Sequence, residues 1–167
     1  ELQSGKRITW HVSCIFSSDE GVITADEESS FETAYYNRED WKGKFIGETK
    51  DHEYHLYRKK FGCKKAVKLA KLYVCGMGAF ECWINGERES DHVMEPGWTD
   101  FRRTCFYTAY DVTEYFAEGE NTENVILVKL GDCMFNVPGG RYVYFQRSYG
   151  KAKLLCQLEL VYEDGKR

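Results

Sequence analysis

Two prolines in 167 residues leave little room for an extended linker or a Pro-rich disordered tail. No apolar run nears the roughly 20 residues that a membrane-crossing helix needs, and no signal-peptide pattern opens the chain. Cys-x-x-Cys is missing, as are the P-loop and the Gly-x-Gly-x-x-Gly turn, so the commonest zinc, redox and nucleotide signatures drop out. "CGMGAF" carries two glycines but leads into strand-like sequence, not a helix, which removes the phosphate-cradle reading. Neither sign of charge forms a long block. Lys and Arg number 23, Asp and Glu 27, and the net charge is −4, so neither a nucleic acid nor a membrane is expected as partner.

Aromatics are plentiful at 16%, and hydrophobic residues make up 43%. A chain of this length buries about two-thirds of its unfolded surface, enough for one real core without staples. Cys14, Cys63, Cys75, Cys82, Cys105, Cys133 and Cys156 are odd in number and sit in apolar runs such as "YVC" and "LLCQLEL". They read as free thiols serving as small core hydrophobes, which favours a reducing, cytoplasmic setting and leaves a secreted or periplasmic one open.

Strand signals dominate. "ITWHVSCIF" predicts a strand in an otherwise less regular N-terminal part, residues 1–52, that leads into the main body at 53–167 and packs on it as one compact domain. "EYHLYRKKF" is short and aromatic. "AVKLAKLYVCG" fits a helix or a strand until its continuation "LYVCGMGAF" tips it to a strand. In "AFECWINGERES", Phe80, Cys82 and Ile84 alternate onto one face, and Asn85-Gly86 supplies a type I′ hairpin turn. "RTCFYTAYDV" predicts another strand. "DVTEYFAEGEN" predicts a helical turn capped by Asp111 or Thr113 and ended by Gly119. "NVILVKLGD" reads as a central strand covered on both faces. "KLLCQLELVYEDG" alternates, with Leu154, Cys156, Leu158, Leu160 and Tyr162 on one side. The sum is an all-β fold, an antiparallel β-sandwich of jelly-roll type with short helical turns.

A glycosidase needs two carboxylates placed across one sugar bond. Asp91, Glu95, Asp100 and Asp111 are near one another in sequence, but nothing singles out a pair. His11, His52, His55 and His92 lie in no nucleophile or zinc motif. Loops rich in Trp, Tyr, Asn and Asp suit sugars better, because aromatic faces pack on pyranose C–H groups while amides and carboxylates satisfy hydroxyls. The best such loop is Gly131 to Phe145, with Asp132, Asn136 and Arg141 as its polar groups and Pro138, Gly139 and Gly140 to bend it back. Its plain structural alternative has Phe135 and Tyr142 closing the core. In "SDHVMEPGWTDF", Pro96-Gly97 predicts a turn, Trp98 a packing anchor with sugar stacking as the alternative, and Asp100 an acceptor for nearby backbone N–H groups.

From Tyr57 to Gly165 the chain resembles the N-terminal β-sandwich of bacterial α-L-rhamnosidases of glycoside hydrolase family 78. The resemblance is carried by the strand at Tyr57 to Phe61, Leu-Tyr-Val-x-Gly-x-Gly at Leu72 to Gly78 and Ile-Asn-Gly at Ile84 to Gly86. Pro-Gly-Trp-Thr-Asp at Pro96 to Asp100, Tyr-Asp-Val-Thr at Tyr110 to Thr113 and Gly-Glu-Asn at Gly119 to Asn121 come next, and "KLLCQLELVYEDG" closes it. "WKGKFIG" resembles the segment that leads into this domain. The resemblance implies a galactose-binding-domain-like sandwich without acid or base of its own, hydrolysis of terminal L-rhamnose with inversion being the work of an (α/α)6 barrel further along the polypeptide. The chain is thus expected to be an N-terminal fragment, inactive alone, with the catalytic domain of the same polypeptide as its partner.

Some family members use a related sandwich as a calcium-dependent L-rhamnose-binding module, the alternative reading here. It would draw on Asn85, Trp98, Asp132, Asn136 and Arg141 for L-rhamnose or a rhamnoside, with Asp132 as candidate calcium ligand; the accessory reading requires no cofactor. The family's loop often reads Leu-Gly-Asn/Asp-Gly-Trp-Tyr. Leu130, Gly131 and Asp132 agree with it, while Cys133, Met134 and Phe135 replace the rest. Calorimetric titration of L-rhamnose with calcium separates the readings: the accessory reading predicts no heat at roughly millimolar sugar, and a saturable heat that vanishes in Asp132→Ala favours the module.

Overall fold

The structure, a computed structural model, describes residues 2–19, 21–48, 54–116, 122–137 and 147–166. The chain divides into two units, Glu1–Lys42 and Gly43–Arg167. The first holds β1 (Arg7–Ser18) and β2 (Gly21–Glu32), and the second holds the remaining strands. These are β3 (Ile46–Gly47), β4 (Tyr54–Cys63), β5 (Val67–Met77), β6 (Ala79–Ile84), β7 (Glu87–Arg88) and β8 (Thr108–Asp111). β9 (Thr122–Gly131), β10 (Asn136–Val137), β11 (Arg147–Ser148) and β12 (Lys153–Tyr162) complete them. The only helical elements among the described residues are single 3-10 turns at Arg38–Asp40, Thr113–Tyr115 and Cys133–Phe135.

In the second unit the order β3-β12-β5-β8 forms one four-stranded antiparallel sheet and β4-β9-β6-β7 the other. The all-β antiparallel sandwich expected from the sequence is therefore present. Its core is the shared filling of the sheets: Leu72 and Val74 of β5, Ile84 of β6, Val128 and Leu130 of β9 and Leu154 of β12 are each at most 1% exposed. Burial of one such side chain is worth about 1.5–3 kcal/mol. Cys63, Cys75 and Cys82 are buried too, and all seven cysteines are free thiols. Burial pushes the Cys75 thiol up to about 12 and Cys156 to about 11, so the sulfurs inside are protonated and inert.

Gly78 connects β5, in one sheet, to β6, in the other. Its φ is +138°, and a Cβ there would lie 2.1 Å from the Gly131 carbonyl oxygen. Gly76 is small for a different reason: a Cβ would meet the Phe80 ring at 2.8 Å. The Gly-x-Gly of the sequence is thus a close-packed corner. Asn85 and Gly86 turn β6 into β7 with φ of 54° and 95°, as the Asn-Gly pair predicts.

Several details differ from the sequence reading. β9 is central, but only Asn124, Ile126, Val128 and Leu130 are buried, while Val125 and Leu127 are intermediate and Lys129 exposed; its outer face is not covered. The strand at "RTCFYTAYDV" shrinks to Thr108–Asp111, because Arg103 and Thr104 donate their backbone N–H groups to the Asp100 carbonyl at 2.8 and 3.0 Å and coil the chain before it. The helical turn forms at Thr113–Tyr115 with the Thr113 N–H on Asp111 Oδ1 at 3.2 Å; its expected end, Gly119, lies outside the described residues. The N-terminal part is far from irregular: β1 and β2 pair residue for residue from Arg7↔Glu32 to Ser18↔Gly21. At its base Thr33 accepts the Lys6 N–H at 2.8 Å and donates to the Gln3 carbonyl at 2.5 Å.

Gly78→Ala should lower stability by about 3 kcal/mol or more, combining a forbidden φ with a backbone clash. Gly62→Ala, where a Cβ would meet only the Thr122 carbonyl at 3.8 Å, should change it by less than about 1 kcal/mol. Urea unfolding of the two variants measures the contrast; equal effects would contradict the corner.

Candidate functional site

The chemistry-bearing side chains gather at the end of the sandwich built on the Gly78 corner. Phe80 pairs with Leu130 across β6 and β9, and its backbone N–H donates to the Glu95 carbonyl at 2.9 Å. That bond brings the chain after β7 back to the sheet. The Glu95–Pro96 peptide is cis, Met94 and Gly97 have φ of 59° and 90°, and the Gly97 N–H closes the turn on the Met94 carbonyl at 3.1 Å. The turn expected at Pro96-Gly97 is there.

Behind it stand two carboxylates and one phenol. The buried Tyr110 hydroxyl donates to Glu95, and Glu89 lies near enough to interact with both. His92 Nδ1 lies 3.1 Å from Glu95 Oε1, and the Arg88 guanidinium holds the His92 carbonyl at 2.9 Å and Glu81 at 3.0 Å. Burial, then the charge of Glu95, push Glu89 up to about 7. Burial, then its bond to Glu95, hold the Tyr110 phenol far above its ordinary range. Burial and a second carboxylate beside it thus make Glu89 hold its proton well above the ordinary carboxylate range. Of the two carboxylates the sequence reading marked only Glu95; Glu89 escaped it because Tyr110, 15 residues beyond Glu95, is what brings the two together.

Past the turn, Asp100 accepts the Arg102 backbone N–H at 3.3 Å and pairs with its guanidinium at 2.8 and 2.9 Å. It serves the turn's backbone as its residue type predicts. Trp98 is 64% exposed and is not the anchor expected. That part falls to Phe101, whose ring meets Phe135 edge-on at 5.2 Å and Tyr149 at 5.5 Å. Sequence weighting favoured the larger ring, but the Asp100 turn aims Phe101 inward.

The predicted loop begins after Gly131 with the turn Cys133–Phe135, in which Cys133 has φ of 44°. The Asp132 carbonyl accepts the Phe135 and Asn136 N–H groups at 3.1 and 3.3 Å, and the Asn136 amide donates to Asp132 Oδ2 at 2.8 Å. Phe135 is 4% exposed and closes the core. Asp132 and Asn136 are thus together, at the sandwich end that also carries the Trp98 loop. Arg141, with Pro138, Gly139, Gly140 and Tyr142, lies outside the described residues, as does His52. Asn85 is elsewhere: its amide donates to the Tyr115 carbonyl at 2.6 Å and Asn124 Oδ1 at 2.9 Å, and its Oδ1 accepts the Val125 N–H at 2.9 Å. Val125 and Asp132 stand at opposite ends of β9, roughly 23 Å apart at 3.3 Å per residue. Among the described residues no three His, Cys, Asp or Glu side chains come together as a metal-holding group.

A concavity opens between the sheets. It measures about 630 Å³ and is lined by Tyr57, Lys59 and Phe61 of β4, Val128 of β9, and Cys156 and Leu158 of β12. Lys59 occupies an inward position on β4, the edge strand of its sheet. An inward charge of this kind discourages a further strand from adding to the edge.

These features define an antiparallel β-sandwich whose end loops are stitched by their own polar groups. Residues 65–167 match the α-L-rhamnosidase N-terminal domain family, and the chain belongs to that family. An α-L-rhamnosidase from Formosa agariphila is 30% identical over 99% of this chain and 19% of its own length. One from Streptomyces avermitilis is 36% identical over 68% of this chain and 10% of its own. The crystal structure of native α-L-rhamnosidase from Aspergillus terreus superposes with a TM-score of 0.82 at 29% identity, covering 99% of this chain and 20% of that one. The chain thus spans about a fifth or less of the length of these relatives.

The Glu89 proton makes stability pH-dependent. Its folded pKa of about 7 stands above the ordinary 4.5, so its contribution is fully present below about pH 4.5 and is lost as pH rises through about 7. Glu89→Gln should remove that loss. Unfolding midpoints at pH 5 and pH 8 should therefore converge in the variant relative to the native chain; an unchanged difference would mean that Glu89 titrates normally.

Proposed function

We propose that this chain is a non-catalytic N-terminal accessory domain of an α-L-rhamnosidase, which braces the part of the polypeptide that hydrolyses terminal L-rhamnose. The observation that carries the reading is the family match to residues 65–167 in relatives about five times as long. A sandwich of this size is one layer of such an enzyme, and the chemistry belongs to the downstream part of the polypeptide.

The side chains at the sandwich end support this reading. Asp100 and the Asp132–Asn136 pair are engaged with backbone or with each other, as is Asn85 toward the far end of β9. Glu95 accepts from a phenol buried at 8% exposure with Glu89 beside it, and a pyranose would have to displace the Tyr110 bond in order to reach both. Their role is to hold the turn after β7 against β6.

The test uses p-nitrophenyl α-L-rhamnoside. The polypeptide that contains this chain together with its downstream part should release nitrophenol, and the 167-residue chain alone should release none. Glu95→Gln in the long polypeptide should leave kcat within about twofold, against the hundredfold or greater loss that removal of a catalytic carboxyl brings. Hydrolysis by the isolated chain, or collapse of kcat in Glu95→Gln with KM unchanged, would sink the proposal.

A further inference from the structure

The β1–β2 hairpin is exposed along nearly its whole length. Each strand has 12 residues, and of these all but Ile8 and Ser30 are exposed. Its register sorts the side chains by face. Ile8 lies opposite Phe31, Trp10 opposite Ser29, Val12 opposite Glu27, Cys14 opposite Ala25 and Phe16 opposite Ile23, so one face is a largely apolar strip interrupted by Ser29 and Glu27. The other face is polar at its base, where Arg7 bonds Ser30 at 2.9 Å and His11 lies 3.8 Å from Asp26. Toward the tip this division ends. Ile15, Phe16, Val22 and Ile23, on both faces, are 61–73% exposed.

A lone two-stranded ribbon is at best marginally stable in water, and an apolar strip with an apolar tip marks a surface meant to be covered. A second copy of the chain is a poor cover. Val12 lies opposite Glu27, so strip-on-strip packing would bury the Glu27 carboxylate of each copy against apolar side chains. Pairing through the free edge of β2 would set the runs Asp26-Glu27-Glu28 of the two copies side by side.

The relatives point to another cover. The matches to the Formosa agariphila and Aspergillus terreus enzymes extend over 99% of this chain, hairpin included, within polypeptides about five times as long. In such a polypeptide the remainder is tethered and is present at high effective concentration. We infer that the β1–β2 hairpin is a docking arm whose apolar strip and tip are buried in the downstream part of the same polypeptide, in an apolar trough with basic side chains placed to meet Asp26 and Glu27. This inference rests on the accessory-domain reading and gives that reading its contact surface.

Cys14 lies within the strip and is an exposed free thiol, so it reports cover directly. N-ethylmaleimide labelling of Cys14, followed by peptide mass spectrometry, should run at least about tenfold slower in the long polypeptide than in the 167-residue chain, since a docked segment exposes its thiol only on local opening. Phe16→Asp with Ile23→Asp in the long polypeptide should restore fast labelling. Equal rates in the two proteins overturn the inference. So does slow labelling in the short chain, whether at every concentration, which places the cover within the chain itself, or only at high concentration with a doubled mass, which makes it a second copy. Rhamnoside hydrolysis by the same preparation keeps the two readings apart: an active enzyme with Cys14 open loses the docking arm alone, and an inactive one loses the accessory reading and the arm with it.

Discussion

The approach of Gly78 to the Gly131 carbonyl is the constraint on which the sandwich and its end loops both depend. A Cβ at Gly78 would stand 2.1 Å from that oxygen, so no other residue lets β5 leave one sheet and β6 enter the other within a single position. Register follows from it. Ala79 lies opposite Gly131 and Phe80 opposite Leu130, which stacks Ile84, Val128 and Leu130 over Leu72 and Val74. The same register presents the Phe80 N–H to Glu95 and starts the Asp132 turn directly beyond Gly131.

Much of this was legible in the chain. Period-two alternation locates β6 and β12, the short aromatic run locates β4, and the Asn85-Gly86 pair marks the hairpin. The glycines of "CGMGAF" announced a break without saying why each is small, because the reasons are contacts with Phe80 and Gly131, close in space and one of them remote in sequence. The length of β8 and the role of Phe101 were hidden by the Asp100 turn, which is a matter of hydrogen bonding and not of hydrophobic pattern. In the hairpin, β1 alternates plainly from Ile8 to Phe16, whereas the acidic run of β2 conceals its partnership.

The candidate site was less legible still. Asp132 and Asn136 are four residues apart and find each other as sequence proximity suggests, while Asn85 is drawn to the other end of β9 by Asn124 and Val125. The carboxylate pair has no local signature, since Glu89 and Glu95 are joined through a tyrosine on another strand. Asp132 and Asn136 bond each other at the start of their loop, and a large exposed apolar area lies on the N-terminal ribbon. Such a distribution suits a domain whose work is done by contact.

If the chain braces a larger enzyme, removing it must be felt elsewhere in that enzyme. Calorimetric unfolding of the long polypeptide with and without residues 1–167 measures this most directly. The account predicts that the remainder unfolds several degrees lower once its partner surface is bare, while the protein that stays folded still cleaves rhamnosides. An unchanged unfolding temperature and unchanged turnover would contradict it.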